Sequence, residues 1–331
     1  MLVSFKYLRI LPFLIFIREC LASDIERLRT LMGLDVAAYC EKITVNRQWI
    51  CNECDPSYKL VSTFGNPHQR SLREALWSGI SPVGFIAVNN AARDIVVSFK
   101  GSSDHLDFGI DATLIMSTLK FSDEVGMTST SHLLPLLTLA REYLSTPQGT
   151  ADAFSKSVKV HDGFIKSYNS GRRVVRREIA AAVSMFPTYD VTFSGHSLGG
   201  SMALLAALDF VISSQSPMQL APHVSIITFG QPRVGNLDFA RLVDSLPWKE
   251  SLRITRRYDP IPRLPLKYRG YVHHKHEFFL LDNFNFKPSC TLTRDQGETS
   301  DCSTEDYSVD ASTHSNGYFD LQLKTKDIFG C

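Results

Sequence analysis

The chain has 331 residues, 44% of them hydrophobic, and a formal net charge of +1. That length suits one large α/β domain or two small ones. A balance so near zero supplies no long-range field toward nucleic acid or an anionic membrane, and no run of roughly 18 apolar residues exists to form a conventional spanning helix.

Taken in order, the chain first presents an address. Lys6 and Arg9 precede the short apolar run from Ile10 to Ile17, and Cys20-Leu-Ala22 offers a small-residue cleavage site before Ser23. This is the layout of a secretory signal, with an amphipathic or buried N-terminal helix as the alternative, so residues 1–22 are expected to leave and residues 23–331 to form a single domain outside the cell or in the secretory lumen. The cysteines agree. Without Cys20 an even set remains: Cys40, Cys51, Cys54, Cys290, Cys302 and Cys331. Sequence alone cannot choose their connectivity. No second CxxC or His pair completes a zinc set around Cys51 and Cys54, so no metal is expected.

Asp24 to Leu34 is charged and leucine-spaced, which predicts a helix. Tyr58 to Phe64 reads as a strand. Val83 to Val88 and Ile95 to Phe99 read as a hairpin joined by an Asn-rich turn. At its end sits Lys100-Gly-Ser-Ser-Asp104. Ser102 there could donate to a developing oxyanion, or the segment could be an ordinary Gly-Ser turn. Next comes a short mixed segment with Leu106, Phe108 and Ile110. It reads equally as a lid or as a crossover. Residues 115–155 form a long connection, with a helix expected from His132 to Leu144. A further helix is expected from Ile165 to Met185. Its Arg172, Arg173, Arg176 and Arg177 read as a solvated outer face.

The most informative stretch follows. A β-branched strand, Asp190 to Phe193, meets an Ala- and Leu-rich helix, Ser201 to Phe210. Between them lies Gly195-His-Ser197-Leu-Gly199. This fits G-x-S-x-G, a sharp strand-to-helix turn with a serine nucleophile at its apex. Val224 to Phe229, a helix near Leu237 to Leu246, and Leu252 to Tyr258 continue the alternation. It argues for a mostly parallel sheet with helices on both faces. A serine nucleophile needs a base held by a carboxylate, in the chain order Ser, acid, His. Asp259 leaves the last of these strands and is preferred over Asp209 and Asp238, which fall in helices. Tyr271 to Leu280 alternates like a strand, so His273, His274 and His276 read as edge or structural residues. His314 lies in a loop near the C-terminus and is the expected base.

Together these segments resemble the class 3 lipase family, the fungal triacylglycerol lipases. The likeness rests on Phe99-Lys-Gly-Ser-Ser103, Val160-His-Asp-Gly-Phe164, Val191 to Gly200, Phe229-Gly-Gln-Pro-Arg-Val-Gly235, Asp259 to Pro265, and His314 before Tyr318-Phe319. The resemblance implies an α/β-hydrolase fold with a short lid, and a triad of Ser197, Asp259 and His314. It implies oxyanion amides from Ser102 and Leu198, and a lid over Ser103 to Leu114. It also implies the pairs Cys40–Cys331, Cys51–Cys54 and Cys290–Cys302. The expected activity is that of a secreted ester hydrolase. It would act without cofactor, as a monomer, on lipid or ester at an oil–water interface, with no nucleic-acid partner and no stable membrane insertion. A feruloyl-type or short-chain esterase on the same scaffold is the alternative; a catalytically inactive binding protein is a more distant one. Three features depart from the family pattern. Lys100 stands where arginine is common, Phe108 where tryptophan is common, and the connection after the lid is long. Its helix from His132 to Leu144 is expected to cover part of the acyl groove.

Overall fold

The computed structural model describes residues 10–65, 81–102, 115–122, 156–214, 217–281, 286–290, 303 and 308–321. The expected lid, the expected helix from His132 to Leu144, Cys302 and Cys331 lie outside the described residues.

The chain opens with helix α1, Ile10–Ala37, and a short helix α2, Glu41–Thr44. The expected helix from Asp24 to Leu34 lies within α1, which runs unbroken through the expected cleavage point. Leu28 is buried, and burial is nearly continuous from Leu31 to Cys40.

Strands β1 (Tyr58–Phe64), β2 (Gly84–Asn89) and β3 (Asp94–Phe99) form an antiparallel meander. The β2–β3 hairpin is the one the Asn-rich turn predicts; Asn89 Oδ1 accepts from the amides of Ala91 and Ala92 at 3.0 Å. Then come β4 (Met116–Thr118), β5 (Lys159–His161), helix α3 (Asp162–Met185), β6 (Asp190–His196), helix α4 (Leu198–Ile212) and the short α5 (Pro217–Leu220). They are followed by β7 (Val224–Phe229), β8 (Gly235–Asn236), α6 (Leu237–Ser245) and β9 (Glu250–Arg256). The described chain closes with β10 (Tyr271–Val272), β11 (Glu277–Leu280), β12 (Phe286–Cys290) and α7 (Ala311–Asn316).

Eight strands build the main sheet in the order β1-β2-β3-β6-β7-β9-β11-β12. The central run from β3 to β11 is parallel; its flanks are antiparallel. Apolar side chains fill both faces, as a covered parallel sheet requires. Val97, Phe193 and Ile226 face a core with α3, α4 and α6, whereas Val96, Ile227 and Ile254 face a second core with α1. This is the sheet with helices on both faces that the alternation predicts. The carboxyl ends of β3, β6, β7 and β9 converge on one edge, where ligands of open α/β sheets bind.

Three readings need correction. Arg172 is not part of a solvated face. It is 1% exposed, and its guanidinium makes two bonds, 2.8 and 2.9 Å, to Asp209 on α4. Tyr271 to Leu280 is not one strand. Tyr271 and Val272 join a second sheet, ordered β10-β8-β5-β4, while Glu277–Leu280 joins the first. Between them His273 and His274 are buried, and burial together with Arg253 lowers both rings well below the usual range. Finally, His314 sits in a short helix rather than a loop. Asp310 caps that helix by accepting from the Ser312 amide at 2.9 Å.

Candidate active site

The site begins with the turn between β6 and α4. Ser197 adopts φ 61°, ψ −129°, a conformation that costs a non-glycine residue energy. Its neighbours make the turn possible. A methyl group at Gly195 would lie 2.3 Å from the Gly199 carbonyl carbon, and one at Gly199 would lie 2.2 Å from the Phe99 carbonyl oxygen. Both positions are therefore closed to any side chain. The Ser197 amide donates to the Phe229 carbonyl at 2.9 Å, which ties the turn to β7. Leu198 then opens the helix, where amides point outward along the axis toward any bound anion.

The end of β3 lies against this turn. A methyl group at Gly101 would sit 3.2 Å from the Ser197 Cβ and 2.5 Å from the His196 carbonyl oxygen. Only glycine lets the loop approach so closely. Ser102, the next residue, is 7% exposed.

The acid and the imidazole come from β9 and α7. His314 Nδ1 donates to Asp259 Oδ2 at 2.9 Å, and both side chains are at most 1% exposed. The same oxygen accepts from the Tyr318 hydroxyl at 2.6 Å, while Oδ1 accepts from the Ile261 amide at 2.9 Å. The carboxylate is thus fixed by three donors, two of them outside the pair. Burial, reinforced by the Asp259 charge, pushes the Tyr318 phenol well above its usual range, so it stays protonated and donates. Gly230, at the end of β7 with φ 58°, makes room for the pair. A methyl group there would lie 2.9 Å from His314 Cε1 and 3.1 Å from Asp259 Oδ2.

His196 joins the two halves. Its Nε2 lies 2.9 Å from the His314 carbonyl oxygen, which can only accept. Nε2 therefore carries the hydrogen, and Nδ1 is left to accept the Tyr39 hydroxyl at 3.3 Å. The two imidazoles lie 4.4 Å apart, centroid to centroid. Tyr39 also takes a hydrogen bond from the Gly101 amide. One helical turn earlier, buried Asp35 accepts from Ser98 and Ser194, each at 2.7 Å. Those two serines are partners in the β3–β6 register. Burial pushes the Asp35 carboxyl well above the usual range. The segment from Asp35 to Tyr39 thus forms a floor under both the serine turn and the Gly101 loop.

Of the residues expected to act, Ser197, Leu198, Ser102, Asp259 and His314 gather at this one sheet edge. Leu106, Phe108 and Ile110 lie outside the described residues. Cys51 and Cys54 are disulfide-bonded, with Cα atoms 5.1 Å apart, and Cys40 is also in a disulfide. Sequence reading gave no role to Tyr39, Asp35, Gly230 or the Tyr318 hydroxyl. His196, Gly230 and Tyr318 do lie inside the quoted motifs. Asp35 and Tyr39 belong to none of them.

The family profile described as Lipase (class 3) matches residues 96–269, over half of the chain. Among curated relatives, a secreted mono- and diacylglycerol lipase 2 of Gibberella zeae is 29% identical, with 78% of this chain and 62% of the relative covered. A lipase of Rhizopus oryzae is 26% identical, with 90% and 64% covered. The chain thus spans just under two thirds of the length of these relatives. Among solved structures, a lipase from Rhizopus microsporus var. chinensis superposes with a TM-score of 0.67 at 26% identity, covering 92% of this chain and 90% of its own.

Proposed function

The chain belongs to the class 3 lipase family, and on that premise we propose that it is a secreted serine ester hydrolase cleaving fatty-acyl esters of glycerol. In this reading His314 Nε2 takes the Ser197 proton while Oγ attacks the ester carbonyl. The Ser102 and Leu198 amides hold the oxyanion, the strongest single contribution such a site makes. The imidazolium returns the proton to the leaving alcohol. Water, deprotonated by the same ring, then releases the fatty acid. Asp259 orients His314 and stabilises its charged form.

The observation carrying this reading is the buried His314–Asp259 bond, tied through His196 to a serine in a strained turn against Gly101. Secretion of residues 23–331 as one domain, after loss of residues 1–22, is part of the proposal. It is supported by the Cys51–Cys54 disulfide. The pairs Cys40–Cys331 and Cys290–Cys302, and a monomeric state, belong to the same reading.

Ser197→Ala tests it. Tributyrin hydrolysis should fall by several orders of magnitude with the thermal transition retained; undiminished turnover removes the assignment. Rate measured across the emulsion threshold then separates lipase from esterase. A jump identifies an interfacial enzyme, and saturation below the threshold a soluble-ester hydrolase.

A further inference from the structure

Past Phe99 strand β3 ends, and whatever holds the next residues decides where the Ser102 amide stands. The Lys100 amide still donates to a backbone carbonyl, that of Val83, at 2.8 Å. The Gly101 amide donates instead to a side chain, the Tyr39 hydroxyl. That hydroxyl lies hard against the glycine: a methyl group at Gly101 would sit 2.2 Å from it. Tyr39 is 3% exposed and follows closely on α1.

A phenol has one hydrogen to give. With its oxygen accepting from Gly101, Tyr39 directs that hydrogen at His196 Nδ1, 3.3 Å away. His196 Nε2 gives its own hydrogen to the His314 carbonyl at 2.9 Å. The bonds therefore run head to tail from Gly101 through Tyr39 and His196 to His314, and each polarises the next. Burial, reinforced by the Asp35 charge, pushes the Tyr39 phenol above its usual range, so it keeps its hydrogen. The chain of bonds joins the residue before Ser102, the residue before Ser197, and His314 itself.

A second brace lies one helical turn earlier. Asp35 accepts from Ser98 and Ser194, each at 2.7 Å. Ser98 precedes Gly101 by three residues, and Ser194 precedes Ser197 by three. The Tyr39 amide donates to the Val36 carbonyl at 3.0 Å, and the adjoining Cys40 is in a disulfide, so the backbone carrying both braces is itself fixed. One segment thus spans the ends of β3 and β6 twice. Oxyanion donors act only when aimed at the place where charge develops, and misplacement on the order of 1 Å can cost about 100-fold in rate.

We infer that Tyr39 is a positioning residue for the hydrolysis: its hydroxyl fixes the Gly101 loop, and with it the Ser102 amide, relative to Ser197 and His314. It acts through Gly101 and His196 rather than on substrate. The inference deepens the hydrolase reading and rests on it, but adds a residue that belongs to none of the motifs behind that reading.

The experiment compares the full chain with Tyr39→Phe on soluble p-nitrophenyl butyrate, with active sites counted by a p-nitrophenyl alkylphosphonate that labels Ser197. The kcat per labelled site should fall by about 10- to 100-fold with KM unchanged. Affinity for butylboronic acid, whose tetrahedral adduct with Ser197 mimics the transition state, should weaken by the same factor. A tyrosine that only packs would behave otherwise. The urea midpoint and the labelled fraction would drop while each labelled site kept the parent kcat, and that result overturns the inference. A loss of kcat with parent affinity for the boronate overturns it too. Tyr39→4-aminophenylalanine restores a group that can accept from Gly101 and donate to His196. It should recover rate and boronate affinity together; recovery of neither counts against the role. Hydrogen exchange on the parent needs no variant: the Gly101 amide should be protected, and free exchange there overturns the inference. A parent that neither cleaves the ester nor takes the phosphonate removes the hydrolase reading and this inference with it, whereas an active parent matched by Tyr39→Phe removes the inference alone.

Discussion

Gly230→Ala isolates the geometry on which the chemistry depends. The substitution adds one methyl group, and two costs can be separated. The backbone there has φ 58°, where an L side chain costs about 1–2 kcal/mol. The methyl carbon would also lie 2.9 Å from His314 Cε1 and 3.1 Å from both His314 Nδ1 and Asp259 Oδ2. The ring must retreat by several tenths of an ångström, and it is linked to the Asp259 oxygen at 2.9 Å and to His196 through its own carbonyl. Misplacement on the order of 1 Å can cost about 100-fold in rate. Gly270→Ala supplies the reference. Its φ is 85°, but a methyl there meets nothing nearer than Met116 Cε at 3.8 Å. Both variants should lose about 1–2 kcal/mol in urea unfolding. Only Gly230→Ala should lose kcat on a soluble aryl ester, by about 10- to 100-fold. Equal kcat in the two variants, or equal loss, would refute the claim that the methyl acts through the His314–Asp259 pair.

Two other outcomes follow from buried ionisable groups. Tyr318→Phe removes one of the donors to Asp259 Oδ2 without changing the packed ring. Stability should fall by about 1.5–3 kcal/mol, the range for losing a hydrogen bond to a charged group; an unchanged urea unfolding midpoint counts against this. Asp94 has its carboxyl pushed up to about 6 by burial, against an ordinary value of 3.8. A raised carboxyl favours folding below its unfolded value, and that contribution disappears as pH climbs through 6. Asp94→Asn should therefore gain on the parent by up to about 3 kcal/mol between acid and neutral pH. Urea titrations giving the same difference at both ends would exclude it.

Much of this architecture was legible because local and tertiary demands coincide. Val224 to Phe229 is mostly apolar and rich in β-branched residues, and a central parallel strand buries both its faces. Gly195 and Gly199 could be assigned because the turn leaves each no room for a side chain. Two of the failures share a cause, contacts distant in sequence. Arg172 looks like its helical neighbours until Asp209, on another helix, is brought against it. His273 and His274 break an apparent strand because burial in neutral form demands partners elsewhere; His273 Nε2 donates to the Pro262 carbonyl at 2.8 Å. The two-residue strands β8 and β10 are too short for any period to register. For His314 the signal existed: Asp310 before Ala-Ser-Thr is a capping pattern, and the expectation of a loop passed over it.

His196 receives the Tyr39 hydroxyl on one nitrogen and gives a hydrogen bond to His314 through the other. An early segment and a late one therefore meet on the residue next to Ser197. A ribosome that has already delivered Ser197 has not yet delivered His314. Under the proposed mechanism the serine would therefore lack its base during synthesis, and hydrolysis would start only when the final stretch folds back onto the first.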